Sequence, residues 1–501
     1  MTERLRSSTI THLPASPAPA ELGEWGILLN GQRVLTDTPV EVRSPYDDRL
    51  VAIVHLAGPE HIAQALEQVT RAFEITRRLP SWRRAEVLEG VSTRIRENRE
   101  ELARIIALEA GKPIRTARVE VERAAFTFKV AAEEAKRIYG EVVPLDWVPG
   151  TEHRYGLVRR VPLGPILGIT PFNFPLNLVA HKVAPALAAG NPIIIRPSTK
   201  TPLSALRLGE LVLEAGWPEE ALAVIPCTTK DAALMVTDER IRMLTFTGSA
   251  AVGWQLKAQA GRKRVTLELG GNAGVIVHRD ADVDHAAKRV TWGGFSYAGQ
   301  SCISVQRVYV HEEIYSPFKD RLITLVSELK VGDPLDETTD VGPVIDRTAA
   351  ERIEAWVQEA VTAGARVLVG GKREGNVWYP TVLENVRPDM HVVCEEVFAP
   401  LVSLIPYQDP YQAIDAVNDS PYGLQAGIFT QDWRLVEAAF DRIEVGGLMV
   451  NDVSTFRVDH MPYGGVKLSG FGREGIRYAI EEMTEMKLLM VHVPPPHSVR
   501  S

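Results

Sequence analysis

Short apolar runs alternate with longer amphipathic segments between residues 165 and 269, and this alternation constrains the fold more than any other feature. The apolar runs lie at 193–195, 224–225 and 243–246. Runs that are apolar throughout are typical of parallel strands buried on both faces. The helical segments between them lie around Leu187, at 204–215 and at 231–236. The pattern predicts a doubly wound α/β domain, and a second α/β unit is predicted over 270–446.

The flanking segments predict smaller elements. Residues 31–54 alternate polar and apolar positions around turn signals, which indicates short strands. Residues 59–138 follow a helical period, and three charged helices are expected, with a break at 111–113 after the second. Residues 141–162 and 487–493 are again strand-like, with Pro-Pro-Pro ending the latter. The long strand at 154–161 is typical of an inter-subunit hairpin or of an ordinary edge hairpin.

Composition limits the class of protein. The chain has 501 residues, a formal net charge of -8 and three cysteines. That length predicts two or three domains, and the acidic balance argues against general nucleic-acid binding. The wide cysteine spacing fits neither a disulfide framework nor a zinc site, so a reducing compartment, the cytoplasm, is expected. Residues 1–20 predict a frayed tail, and no apolar run is long enough to span a membrane.

Cys302 is the strongest candidate for a catalytic side chain. It stands in Gly-Gln-Ser-Cys-Ile at 299–303, where we expect a loop to enter a helix. A helix N-terminus favours a thiolate and supplies a backbone N–H to an oxyanion. For Cys227 and Cys394 the ordinary role of a small buried hydrophobe is the better interpretation.

Two further motifs complete a chemical set. Glu268 lies between leucines and before two glycines, a context that suits a buried general base or a buried salt bridge. Asn173 lies in Pro-Phe-Asn-Phe-Pro at 171–175, and its amide could donate to an oxyanion or simply form a turn. A thiol, a carboxylate and an amide are the groups needed to oxidise an aldehyde through a thioester.

The segment Phe-Thr-Gly-Ser-Ala-Ala-Val-Gly at 246–253 follows a predicted strand and precedes a predicted helix. Backbone N–H groups and a helix dipole bind a pyrophosphate in such a place. The segment is not the Gly-x-Gly-x-x-Gly pattern, and an ordinary strand-to-helix turn is the alternative.

Taken in order, these motifs resemble the aldehyde dehydrogenase superfamily over about residues 31–494. The remaining motifs of the resemblance are Arg-Pro-Ser at 196–198, Leu-Glu-Leu-Gly-Gly at 267–271, Glu-Glu-Val-Phe at 395–398 and Pro-Tyr-Gly-Gly-Val-Lys at 462–467. The resemblance implies an α/β fold with two doubly wound domains and a small β oligomerisation element. The implied division is a tail (1–20), a dinucleotide-binding domain (21–140, 163–269), a catalytic domain (270–446), a return segment with an active-site loop (447–482) and the oligomerisation element (141–162, 483–501).

The resemblance also implies roles. Cys302 attacks the aldehyde, Asn173 and the Cys302 N–H hold the oxyanion, and Glu268 activates the water that hydrolyses the thioester. Lys182 and Glu474 support proton relay around Glu268. The implied cofactor is NAD or NADP. The implied cofactor-binding residues are Thr170, Pro171, Phe172, Arg196, Ser198, Thr199, Lys200, Lys230, Phe246, Gly248, Ser249, Val252, Leu269, Gly270, Glu396 and Phe398.

Some residues depart from the family pattern near the predicted cofactor site. Arg196 stands where a lysine is usual, and Thr199 stands where NAD-preferring members usually carry an acid. Loss of that carboxylate removes repulsion of a 2′-phosphate, and Lys200 and Lys230 are candidate cations. We therefore expect NADP to be accepted.

The implied substrate channel is polar. Its predicted residues are Phe174, Asn177, Leu178, His181, Ser301, Ile303, Tyr463 and the 452–463 loop. Arg457 in that loop could clamp an anion, or form a salt bridge to Asp459 or a subunit contact. A short polar or anionic aldehyde, of lactaldehyde or semialdehyde type, is the expected substrate.

Three alternatives remain open on the sequence. One is a non-phosphorylating glyceraldehyde-3-phosphate dehydrogenase, and a second is a CoA-acylating semialdehyde dehydrogenase, against which Glu268 argues. The third is a non-catalytic structural protein on the same fold. The predicted partners are a small aldehyde and further copies of the chain, as a homodimer or homotetramer, with neither nucleic acid nor membrane.

Overall fold

The computed structural model describes residues 20–493 and contains fifteen α-helices and twenty-five strands within that range. The helices are α1 Pro59–Thr76, α2 Ser81–Glu97, α3 Arg99–Ala110, α4 Ile114–Ala135, α5 Asn177–Ala189, α6 Leu203–Glu214, α7 Thr229–Thr237, α8 Ala250–Gln259, α9 Val283–Phe295, α10 Glu312–Ser327, α11 Arg347–Thr362, α12 His391–Cys394, α13 Pro410–Asn418, α14 Trp433–Arg442 and α15 Ile476–Glu482. Of the described helices, none has the length and apolar character that crossing a membrane requires.

The strands are β1 Glu24–Trp25, β2 Ile27–Leu29, β3 Gln32–Val34, β4 Pro39–Arg43, β5 Leu50–His55, β6 Glu141–Pro144, β7 Arg154–Pro162, β8 Ile166–Ile169, β9 Ile193–Arg196, β10 Leu222–Val224, β11 Met243–Thr247, β12 Arg264–Glu268, β13 Ala273–Val277, β14 Val305–His311, β15 Arg366–Val369, β16 Arg373–Glu374, β17 Val377–Trp378, β18 Thr381–Glu384, β19 Leu401–Tyr407, β20 Tyr422–Gly423, β21 Gln425–Phe429, β22 Gly447–Val450, β23 Val466–Lys467, β24 Gly470–Phe471 and β25 Thr484–His492.

The first large sheet has eight strands in the order β24-β12-β11-β8-β9-β10-β2-β3. Its five central strands are parallel, with Leu244 opposite Leu167 and Leu167 opposite Ile194. Among the parallel strands the chain begins at β8, builds outward to β10 and then returns to the other side of β8 with β11 and β12. Ligands of doubly wound sheets bind at the carboxyl ends of the strands where the order reverses, here between β8 and β11.

A second sheet of seven strands follows in the order β15-β18-β19-β14-β13-β21-β22. All its pairings are parallel except β15 with β18. Strand β14 is buried at every position because it pairs with β13 on one side and β19 on the other. The two predicted α/β units are therefore present as two doubly wound sheets.

A third, smaller sheet is antiparallel in the order β25-β7-β6. It contains the predicted long strand and the predicted terminal strand, paired from Thr484 opposite Pro162 to His492 opposite Arg154. Strand β25 is an edge strand, and its apolar residues Met486, Leu488 and Leu489 are more than half exposed.

Helix α5 brings three polar side chains from the first sheet towards the centre of the molecule. Its sequence is rich in alanine, and every one of its residues is buried. Gly190 ends it with a φ of 86°, a left-handed conformation that glycine adopts at little cost. Because the helix is enclosed, Asn177, His181 and Lys182 must find hydrogen-bond partners inside the protein.

Two local predictions are wrong. Four helices, not three, occupy 59–135, because Asn98 ends α2 and α3 begins at the next residue; the 111–113 break therefore follows the third helix. Cys302 does not enter a helix. It lies in a turn between a short 3-10 segment, Ser296–Gly299, and β14, whose β-branched residues continue the central sheet. Residues 1–19 of the predicted tail and the terminal prolines lie outside the described residues.

Candidate active site

A cavity of about 290 Å³ lies between the two large sheets. The loops that follow β8, β11 and β12 form one side of it, and the turn that precedes β14 forms the other. Among the predicted residues, the cavity is lined by Pro171, Phe172, Asn173, Phe174, Asn177, Leu178, Gly248, Ser249, Glu268, Leu269, Gly270, Ser301, Cys302, Ile303, Glu396, Phe398, Arg457 and Tyr463. Cys302, Glu268 and Asn173 are thus brought together from three separate loops.

The other predicted residues lie outside the cavity wall. They are Thr170, His181, Lys182, Arg196, Ser198, Thr199, Lys200, Lys230, Phe246, Val252 and Glu474. Lys182 and Glu474 lie directly behind Glu268, as described below. His181 was expected in the channel, but it is buried on α5 and hydrogen-bonds to Asp459 at 2.8 Å instead.

The Cys302 side chain is held by a tyrosine. Its Sγ lies 3.0 Å from the Tyr463 hydroxyl. Burial raises the pKa of the Cys302 thiol to about 12, while the Tyr463 hydrogen bond and the Arg457 charge oppose that rise. The turn is tight. A side chain at Gly299, whose φ is 66°, would place its Cβ 2.0 Å from the Ala399 carbonyl oxygen.

Asn173 lies beside the same turn. Its amide nitrogen donates to the Gln300 carbonyl at 3.0 Å, and its side-chain oxygen is buried with no partner among the described residues. The amide nitrogen carries a second N–H that remains available to an oxygen next to Cys302. This geometry suits the oxyanion donor that the sequence predicts.

Glu268 ends β12, and both of its carboxylate oxygens are buried with no hydrogen-bond partner in the described chain. Burial and the neighbouring Glu474 carboxylate raise the pKa of Glu268 well above its ordinary value. An unpartnered buried carboxyl is costly to the fold. Its position at the cavity therefore points to a functional role.

A buried ionic group supports Glu268 from behind. Lys182 Nζ donates to Thr245 at 3.1 Å, to Thr247 at 2.8 Å and to the Glu474 carboxylate at 3.1 Å. Arg457 Nη2 lies 3.4 Å from the other Glu474 oxygen. These two cations outweigh burial, lower the pKa of Glu474 and keep it ionised. Glu474 in turn adds to the effect of burial and disfavours ionisation of Glu268, so the pKa values of the two neighbouring carboxyls are shifted in opposite directions.

A second ionic group forms the wall near Asn177. Arg123 on α4 binds Asp459 through two hydrogen bonds of 2.7 and 3.1 Å. Asp459 also accepts from Asn177 at 3.1 Å and from His181, and its pKa lies well below the ordinary range because these partners outweigh its burial. The alternative partner predicted for Arg457 is therefore wrong, since Asp459 pairs with Arg123 and Arg457 pairs with Glu474.

A buried lysine packs against the aromatic rings beneath the cavity. Lys112 Nζ lies 3.7 Å from the centre of the Phe174 ring and 4.2 Å from that of Tyr297, and it pairs with Glu120. Glu120 also accepts the backbone N–H of Leu176 at 3.0 Å, at the start of α5. This pair joins α4 to the loop that carries Asn173. Sequence analysis missed Lys112, Glu120 and Arg123, because only their distant partners identify them as part of the site.

The predicted cofactor residues fit a phosphorylated, hydroxyl-rich ligand. Thr170 Oγ1 and Arg196 Nε are buried at the ends of β8 and β9 without partners in the described range. Ser249 begins α8 with no side-chain cap, which leaves backbone donors at that helix end. A Cβ at Gly270 would lie 2.4 Å from the Glu396 carboxylate, so a larger residue there would displace that carboxylate. These groups suit NAD(P).

The two lysines that are candidates for binding a 2′-phosphate differ in their contacts. Lys200 forms an ion pair with Asp346, from the second α/β unit. Lys230 lies in the first turn of α7, is exposed and forms no ion pair with the described residues. Thr199 is half-buried in the turn after β9. Arg196 donates to the Cys227 carbonyl at 2.9 Å.

Comparison with known proteins agrees with this arrangement. The model of the aldehyde dehydrogenase family matches residues 34–489. The chain belongs to that family. The chain is accordingly an aldehyde dehydrogenase, and the family uses NAD or NADP, as predicted.

Three similar proteins illustrate the relationship. A 3-sulfolactaldehyde dehydrogenase of Priestia aryabhattai is 46% identical over 477 residues, which is 94% of this chain and 99% of the relative. Aldehyde dehydrogenase 21 of Physcomitrella patens, solved with its reaction product succinate, is 43% identical with a TM-score of 0.92, covering 95% and 99% of the two chains. Glyceraldehyde-3-phosphate dehydrogenase GapN of Methanocaldococcus jannaschii, solved with NADP, is 39% identical with a TM-score of 0.88, covering 91% and 100%.

Proposed function

We propose that this enzyme oxidises a short aldehyde bearing an anionic group, a carboxylate or a sulfonate, to the corresponding acid through a thioester on Cys302. The observation that carries the proposal is the cavity itself, which brings Cys302, Glu268 and Asn173 to one place and adds the buried guanidinium of Arg457. The acceptor is NAD(P)⁺.

The chemistry divides between the three central residues. Cys302 Sγ forms a bond to the aldehyde carbon, and the oxygen that becomes negative accepts hydrogen bonds from the Asn173 amide and the Cys302 N–H. When bound, NAD(P)⁺ supplies the hydride acceptor. Water then adds to the thioester and gives its proton to Glu268, the acid leaves, and the thiolate is restored. Glu474 and Lys182 carry the proton onward from Glu268.

The charges in the site support an anionic substrate. Arg123 is matched by Asp459. Lys182 and Arg457 share the single carboxylate of Glu474, and burial together with Glu474 raises the pKa of Glu268 well above its ordinary value. Whenever Glu268 is protonated, the two cations exceed the one carboxylate by one positive charge, and Arg457 is the cation of this group that lines the cavity. An anionic group of the substrate would neutralise it, and a buried guanidinium with an unpaired Nε is suited to bind such a group.

The similar proteins point to the same class of compound. Their names specify 3-sulfolactaldehyde, succinate and glyceraldehyde 3-phosphate, each a short chain with an anionic end. We infer from the missing acid at Thr199 that NADP is accepted. Lys230 is the available cation for the 2′-phosphate, because Lys200 already pairs with Asp346.

The test is a comparison of kcat/KM for sulfolactaldehyde, succinic semialdehyde, glyceraldehyde 3-phosphate, lactaldehyde and a long-chain alkanal, each with NAD and with NADP. An anionic aldehyde should be preferred to the alkanal. Arg457→Met should then lower kcat/KM for that aldehyde about 30-fold or more relative to neutral lactaldehyde, as expected when one partner of a buried ion pair is removed. Arg434→Met, at an exposed position on α14, is the matched control.

Either of two results would change the proposal. A preference for the alkanal would remove the anionic substrate and leave the catalytic residues in place. A strong preference for glyceraldehyde 3-phosphate would make the enzyme a non-phosphorylating glyceraldehyde-3-phosphate dehydrogenase, which the similarity to GapN favours as the second candidate.

A further inference from the structure

The Cys302 thiol lies next to the phenol of a tyrosine and not, as we expected, at the start of a helix. Cys302 lies between a 3-10 segment and a strand, so it does not stand at the N-terminus of a helix. The polar side chain within hydrogen-bond distance of Sγ, among the residues described, is Tyr463, whose hydroxyl is 3.0 Å away. Tyr463 is only 3% exposed, so water competes little for this hydroxyl.

The Tyr463 ring is fixed from two directions. Its backbone N–H donates to the Glu474 carbonyl at 3.1 Å, and the Glu474 N–H donates back at 2.6 Å. The Arg457 guanidinium lies over the face of the ring, 3.6 Å from its centre. A cation on the face of a phenol withdraws electron density from it and makes its hydroxyl a stronger hydrogen-bond donor.

We propose that Tyr463 is a catalytic residue whose hydroxyl donates a hydrogen bond to the Cys302 thiolate, with Arg457 strengthening that donor from the face of the ring. The proposal rests on the proposed function in one respect, that Cys302 is the nucleophile. It assigns Tyr463 to the thiol rather than to the substrate, the role predicted from the sequence.

The electrostatics of the pair agree with this direction of donation. Burial, together with the adjacent thiol, raises the pKa of the Tyr463 phenol well above its ordinary value, so the hydroxyl keeps its proton and can act as donor. The charged and titratable groups that face Cys302 are Arg457, Glu268 and Glu396; the first favours the thiolate and the two carboxyls oppose it. A hydrogen bond to an ionised acceptor is expected to be strong enough to change the thiolate population about tenfold.

The experiment measures the alkylation of Cys302 by iodoacetamide in Tyr463→Phe at one mildly alkaline pH. The sulfur–carbon bond forms, iodide leaves, and the thiol proton goes to solvent, so the rate follows the thiolate population. Peptide mass spectrometry assigns the modification to Cys302, and the half-exposed Cys394 is the internal reference. Tyr411→Phe, at an exposed position on α13, is the matched control.

We expect Cys302 to be alkylated about tenfold more slowly in Tyr463→Phe, with Cys394 unchanged, and single-turnover acylation to slow while KM stays constant. The direction of the change in alkylation rate distinguishes this role from a structural one, because a loosened site would expose Cys302 and accelerate its alkylation. An unchanged or faster rate therefore overturns the proposal. Failure of the proposed function is distinguishable, since it would appear as dehydrogenase turnover persisting in Cys302→Ala.

Discussion

Replacing Glu268 by glutamine separates the two halves of the proposed reaction. The Glu268 carboxyl is buried and makes no hydrogen bond with the described residues, so the substitution removes no hydrogen bond from the described fold. It keeps the shape of the side chain and removes its ability to accept a proton. Acylation of Cys302 should therefore proceed, while hydrolysis of the thioester loses its base.

The magnitude follows from that role. A positioned general base contributes about 10²–10⁴-fold, so steady-state turnover should fall by about that factor. One equivalent of reduced cofactor per site should still form rapidly. In the unmodified enzyme, hydrolysis needs the ionised form of Glu268, whose pKa is raised well above its ordinary value by burial and by Glu474. The hydrolysis rate should therefore rise with pH until that raised pKa is passed, and Glu268→Gln should lose this dependence.

Stopped-flow absorbance of the reduced cofactor measures both phases, with Glu437→Gln on the exposed face of α14 as the control. A burst followed by slow turnover supports the assignment. Loss of the burst together with turnover would refute it, because Glu268 would then be needed before the thioester forms. Added hydroxylamine, a strong nucleophile, should partly restore turnover by attacking the accumulated thioester.

Four further predictions can be measured separately. Thr199→Glu should shift the ratio of kcat/KM for NADP over NAD at least about tenfold towards NAD, through repulsion of the 2′-phosphate. Glu120→Gln should lower the free energy of unfolding in urea by about 3–5 kcal/mol, because it leaves the Lys112 ammonium buried and unpaired. The melting temperature of Glu268→Gln should increasingly exceed that of the unmodified enzyme as pH rises, since a carboxyl with a raised pKa favours the fold at low pH and loses that contribution as it ionises. Charged substitution at Leu488 on β25 should reduce the mass found by light scattering if copies pair through that edge.

The sequence predicted those parts of the site that carry a local signal. Glu268 and Asn173 stand in unusual short contexts, two leucines with two glycines and two prolines with two phenylalanines, and both reach the cavity. Arg123 has no such context. Its partner Asp459 lies 336 residues away in the chain, and only the packing of α4 against the last loop brings the two together.

The misplaced element at Cys302 has a different cause. The residues after it, Ile303-Ser304-Val305, form a short apolar run, and periodicity alone does not distinguish a buried strand from a helix over such a length. The tertiary structure makes this segment a strand, because β13 and β19 both pair with β14 and bury it on both sides. The partner of Arg457 was misassigned for a similar reason, since Asp459 is close in sequence while Glu474 is close in space.

One cation links the three functions assigned to this cavity. Together with Lys182, Arg457 lowers the pKa of Glu474, and that carboxylate adds to burial in raising the pKa of Glu268. The same guanidinium lies over Tyr463, which hydrogen-bonds to the Cys302 sulfur, and it lines the cavity where an anionic substrate would bind. Binding of such a substrate would neutralise Arg457 and so weaken its pull on the thiolate and on Glu474. The rate of Cys302 alkylation should therefore fall when succinate, a non-reactive dianion, is added, and should not fall with a neutral diol of the same length.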